Sequence, residues 1–81
     1  MSRPFPRRIG AVEVPQDAIS RAAWIRAERS LPEYLFSHSV RSYCWGIALA
    51  AHDGLELDRE IFWVAALLHD VGLTRIGRSG E

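Results

Sequence analysis

The chain has 81 residues, ten basic against ten acidic, and 48% hydrophobic content. It makes one small domain or part of one, with no net field to draw it to nucleic acid or an anionic membrane. Three Trp, three Phe and two Tyr argue against disorder over most of its length, yet a chain this short buries only about 60% of the surface its unfolded form exposes.

Residues 1–15 hold Pro4, Pro6, Pro15 and Gly10 with Arg3, Arg7 and Arg8, which predicts an irregular, extended arm, with Val12 to Val14 as one short extended piece. A helix is predicted from Asp17, whose carboxyl can cap the first turn. Ile19, Ala22, Ala23, Arg26 and Ala27 follow at helical spacing, and Ser30-Leu31-Pro32 stops the helix because the residue before proline avoids the helical region. Pro32 can also open the next helix, with Glu33 near its positive end.

The second helix is predicted over about Ser37 to Asp53, closed by Gly54. Its apolar stripe is Val40, Cys44, Ile47, Ala51 and Leu55, with His38, Ser42, Trp45, Leu49 and His52 beside it. Gly46 and the nearby alanines would let another helix approach closely. Asp58 then caps a third helix running to about Asp70 or Val71, with Gly72 as terminator and residues 75–81 as a disordered tail. That helix is apolar on every side from Ile61 to Leu68, as a helix surrounded by others would be, and two partner helices leave part of it uncovered. The class is all-α: an antiparallel hairpin plus an N-terminal helix.

The chemistry concentrates at Leu67-Leu68-His69-Asp70, where two metal-capable side chains end an apolar run. Buried without partners, such groups cost roughly 1–3 kcal/mol each. His38 starts the second helix and His69 ends the third, so antiparallel pairing puts both at one end of the hairpin. Two imidazoles and one carboxylate suit zinc, iron, manganese or cobalt rather than calcium. The other His-Asp dipeptide, His52-Asp53 before Gly54, serves as an internal control. It sits in a last helical turn near solvent, where a cationic ring suits the helix dipole without any metal.

Leu31-Pro32, His38-Ser39-Val40-Arg41, Tyr43 and the run Ala65 to Thr74, in that order, resemble the HD domain superfamily of metal-dependent hydrolases, most of all its cyanamide hydratase-type branch. The resemblance covers roughly Val14 to Thr74, so 16–74 reads as a partial HD-type helical domain. It implies a divalent ion (zinc, iron or manganese) held by His38, His69 and Asp70, acidifying a water for attack on a phosphoester or a nitrile such as cyanamide. Asp70 would double as proton acceptor, and Arg41 would orient a polar or anionic small-molecule substrate. The family completes its site with a later aspartate. Only Glu81 follows Asp70 as an acid, so the resemblance implies the first part of such a domain, shortened and impaired.

The alternative is a helical interaction module, self-associating through the exposed third helix, with a relic site. Cys44 cannot form an internal disulfide, and no charged-then-apolar leader opens the sequence. The longest uncharged run, Ser42 to Ala51, falls short of the roughly 20 residues of a membrane span. A cytoplasmic setting without membrane contact is the expectation.

Overall fold

The computed structural model describes residues 3–79, with side-chain surroundings for 3–71. In chain order it comprises strands β1 (Arg8–Ile9) and β2 (Val12–Glu13) and helices α1 (Ala18–Ser30), α2 (Glu33–His52) and α3 (Arg59–Ser79). The all-α expectation holds; the one sheet among the described residues is the two-residue hairpin of β1 with β2. No helix among them is long and apolar enough to cross a membrane.

The N-terminal arm is more regular than its prolines predict. Arg8 pairs with Glu13 and Ile9 with Val12, antiparallel, around Gly10, whose φ of 61° is one that side-chain-bearing residues avoid. Prolines interrupt ladders without preventing burial, and the apolar residues between them are used. Val14 is buried, and Phe5 stands edge-on to Trp24 and Trp63, with ring centroids 5.8 and 6.3 Å away. The Tyr43 hydroxyl donates to the Glu13 carbonyl at 3.0 Å, tying the hairpin to α2.

Asp17 caps α1 as its position suggests, accepting from the Ser20 amide at 3.2 Å and the Ser20 hydroxyl at 2.6 Å. Leu31 ends it in extended geometry. Pro32 then serves as the N-cap of α2, so this helix begins at Glu33, earlier than Ser37, because a proline there gives up an amide that no helical carbonyl needs. Gly54, at φ 70°, closes α2, and Asp58 caps α3 by accepting from the Glu60 and Ile61 amides at 3.1 and 3.2 Å.

Two expectations are corrected. The first concerns the end of α3, which continues through Gly72 to Ser79. An internal glycine costs a helix about 1 kcal/mol but stops it only by turning left-handed. Residues 75–79 of the expected tail are therefore helical, and Gly80 and Glu81 lie outside the described residues. The second concerns the buried face of α2, which is Phe36, Ser39, Tyr43, Ile47 and Ala50 rather than the stripe through Cys44 and Leu55. Tyr43 and Phe36 offer more area to bury, and Gly46 on that side admits α3: a Cβ there would run into the Phe62 ring.

Helix α3 packs against both α1 and α2, and Trp63 and Leu67 are fully buried. Trp63 stacks on Trp24 with centroids 6.0 Å apart, meets Tyr43 edge-on at 4.9 Å, and donates its indole N–H to the Ser20 carbonyl at 3.0 Å. Burying each such side chain contributes about 2–3 kcal/mol, so this cluster fixes the helix arrangement. Among residues 3–71 the exposed large apolar residues are Ile19, Ile25, Tyr34, Trp45, Leu49, Leu55, Leu57 and Ile61. Of these, Ile61 belongs to α3, and most lie on α2 and the loop after it.

Candidate functional site

Two contacts set the register of α2 against α3. Gly46 faces Phe62, and Ser39 reaches Asp70 one end along, so the helices run antiparallel as the hairpin reading requires. Stepping back one residue from Ser39 puts His38 level with Val71. The end of the hairpin that carries His38 is thus the end that carries His69 and Asp70.

His69 and Asp70 touch: Nε2 lies 3.2 Å from Oδ1, with the histidine side chain 52% exposed and the aspartate 14%. On its other side the His69 ring places Nδ1 3.0 Å from the Ala66 carbonyl. A carbonyl only accepts, so Nδ1 carries the proton, and a neutral ring presents its lone pair at Nε2. That lone pair faces a carboxylate oxygen, another acceptor. Two acceptors at this distance need a shared cation between them, either a proton on Nε2 or a metal ion.

The metal alternative fits the donor chemistry. One imidazole nitrogen and one carboxylate oxygen 3.2 Å apart are spaced as neighbouring ligands of an ion with bonds of about 2.1 Å. The backbone carbonyl that fixes the tautomer is the usual outer support of a ligating histidine. The control dipeptide differs where it should. His52 and Asp53 also meet, Nδ1 to Oδ1 at 3.1 Å, but with side chains 84% and 61% exposed, where water competes for both groups.

Ser39 is the site residue that the sequence reading passes over. Fully buried, it donates its hydroxyl to Asp70 Oδ2 at 2.9 Å, holding the carboxylate from the α2 side while His69 holds it from α3. A signal for it existed: Phe36, Ser39 and Tyr43 stand at spacings of three and four, and a hydroxyl on a buried stripe requires a partner.

The remaining candidates are placed differently. His38 is exposed, and among the described residues no three His, Cys, Asp or Glu side chains gather closely enough to hold an ion; the His69–Asp70 pair is brought together and His38 is not. Arg41 is two residues beyond Ser39, about 200° round the helix, so it leaves α2 on the side away from Asp70. There it lines a shallow pocket with Arg3, Ser37 and Val40. Cys44 is half-buried, and burial pushes its thiol up, which disfavours the reactive thiolate and agrees with a packing role.

A family model described as HD domain matches residues 35–81, more than half of the chain. Searches of curated proteins and of solved structures found no significant match. The matched span contains α2 from its first turn, Ser39, and the His69–Asp70 pair on α3, and on that match the chain belongs to the HD domain family.

Proposed function

We propose that the chain carries metal-dependent hydrolytic chemistry of the phosphohydrolase type at the α2–α3 crossing, with His69 and Asp70 as ligands and His38 as the third. The observation that carries this reading is the His69 Nε2 set 3.2 Å from Asp70 Oδ1, with the ring oriented by the Ala66 carbonyl at Nδ1. His38 supports it by level: it is exposed, hence able to change rotamer, and sits one residue from the Ser39–Asp70 contact. A divalent ion, when bound, supplies Lewis-acid activation of water near neutral pH.

The chain's own residues do the rest. The Ser39 hydroxyl fixes the Asp70 carboxylate, and that carboxylate is the group proposed to take the proton from the attacking water. Among the described residues no third His, Cys, Asp or Glu stands with His69 and Asp70, so weak turnover is expected of this pair by itself. A phosphoester is the first substrate to try. Cyanamide tests the hydratase-type branch.

The test measures bound zinc, iron and manganese after loading and dialysis, and hydrolysis of p-nitrophenyl phosphate esters and cyanamide. Wild type should retain close to one ion per chain and show metal-dependent turnover, and His69→Ala and Asp70→Asn should lose both. Equal metal retention by wild type and both variants would sink the reading.

A further inference from the structure

We propose that Arg3 and Arg41 form a binding site for a phosphoryl oxyanion on the side of α2 turned away from α3, separate from the His69–Asp70 pair. The site is a shallow pocket of about 420 Å³ lined by Arg3, Ser37, Val40 and Arg41. Ser37 and Arg41 are one helical turn apart and share a face. Arg3 comes to it from the N-terminal arm, distant in sequence.

Arg3 is held there by three contacts. Its guanidinium pairs with Glu33 and lies over the Phe36 ring, 4.7 Å from the centroid, while its backbone N–H donates to Glu28 at 2.6 Å. A guanidinium fixed in this way loses little freedom on taking a ligand. Glu33 offsets the charge of Arg3, whereas Arg41 makes no ion pair among the described residues. The pocket therefore keeps one uncompensated positive charge in a chain whose formal net charge is zero.

The chemistry of the lining selects the ligand class. Guanidinium groups present paired N–H donors that match the oxygens of a tetrahedral oxyanion, Ser37 adds a hydroxyl donor, and Val40 keeps one wall dry. The volume exceeds that of a phosphate ion and leaves room for the small organic part of a phosphomonoester. Inorganic phosphate and small phosphomonoesters share the recognised group, so either can be its source. Helix phase separates this site from the metal-capable pair, since Ser39, between Ser37 and Arg41 in sequence, faces the opposite way to reach Asp70.

The test is a titration of the full chain followed by ¹H–¹⁵N NMR, in EDTA and at low ionic strength, where screening is weak. Inorganic phosphate is one probe and glycerol phosphate the other. Saturable shifts should centre on Ser37 to Arg41 and on the Arg3 and Arg41 side chains. Arg41→Gln should weaken affinity about tenfold, as expected for losing one charged donor pair, and Arg41→Lys should weaken it less. Arg26→Gln, an exposed arginine on α1, should leave it unchanged, as should Asp70→Asn, so that loss of the metal reading would not touch this result. If Arg41→Gln titrates like wild type, if Arg26→Gln weakens binding equally, or if chloride at matched ionic strength moves the same signals, the site does not exist.

Discussion

Removing one oxygen atom at Ser39 separates the packing of α2 on α3 from the preparation of the site. Ser39→Ala deletes the 2.9 Å hydrogen bond to Asp70 Oδ2 without opening a void larger than a hydroxyl. A bond to a charged acceptor contributes about 1.5–3 kcal/mol. Asp70 keeps His69 and a further interaction, and alanine is the better helix former by about half a kcal/mol. The net loss should be about 1 kcal/mol, which in a domain of this size lowers Tm by roughly 4–8 °C. Affinity for a loaded divalent ion should fall more, about 10–100-fold, because the carboxylate loses the group that orients it. Thermal melts by circular dichroism give the first quantity and isothermal titration with zinc or manganese the second. A double-mutant cycle with Asp70→Asn ties both to the same bond. A coupling energy within about 0.3–0.5 kcal/mol of zero, the range of independent sites, would refute the account of Ser39 as the support of Asp70.

Other outcomes follow from the same structure. Gly46→Ala should destabilise by about 1–2 kcal/mol, the strain of moving the Phe62 ring outweighing the gain in helix propensity; paired with Phe62→Ala it should lose that penalty, as melts of the four-member cycle would show. Trp63→Ala should abolish cooperative unfolding, since truncating a fully buried Trp costs about 3–5 kcal/mol, a large share of a small domain's stability. At high pH, burial raises both the Tyr43 hydroxyl and the Cys44 thiol. The folded chain then keeps protons that the unfolded chain releases, so stability present below the ordinary thiol range should fall as pH rises through it and through the tyrosine range; Tyr43→Phe and Cys44→Ala should flatten the decline in denaturant titrations. At low pH the sign reverses for Asp17, whose carboxyl is lowered by its hydrogen bond from Ser20: its contribution is present above the ordinary aspartate range and disappears below it, so Asp17→Ala should lower Tm at neutral pH and much less in acid.

Local signals carried the helix starts, because capping is short-range chemistry: Asp17 and Asp58 sit where their own backbone neighbours need an acceptor, and Gly54 where the chain must turn left-handed. The ends of α2 and α3 that rest on tertiary competition were harder to read. Gly72 looks like a terminator until the residues after it are seen to continue the helix, and Pro32, legible as a possible helix opener, leads straight into α2 at Glu33 rather than near Ser37. The buried face of α2 turned on which of two adjacent stripes the partner would choose. That choice depends on Trp24 and Trp63, contributed by other elements, meeting Phe36 and Tyr43.

For the site, spacing alone placed His38 and His69 at one end of the hairpin, and the register bears that out as a matter of level along the helices. Angular position is another matter, because each residue turns the helix by about 100° and an uncertainty of one residue in facing sends a side chain elsewhere. That is why Ser39, given no role of its own within His38-Ser39-Val40-Arg41, holds Asp70, while Arg41, expected to orient the substrate, points to the opposite flank. The same phase argument gives the two sites different chemistry. On the α3 side of α2, a buried hydroxyl and a shielded carboxylate favour a cation. On the far side, Ser37 and Arg41 of α2, joined by Arg3 from the N-terminal arm, favour an anion, and Ser39, which faces the other way, lies between Ser37 and Arg41 in sequence.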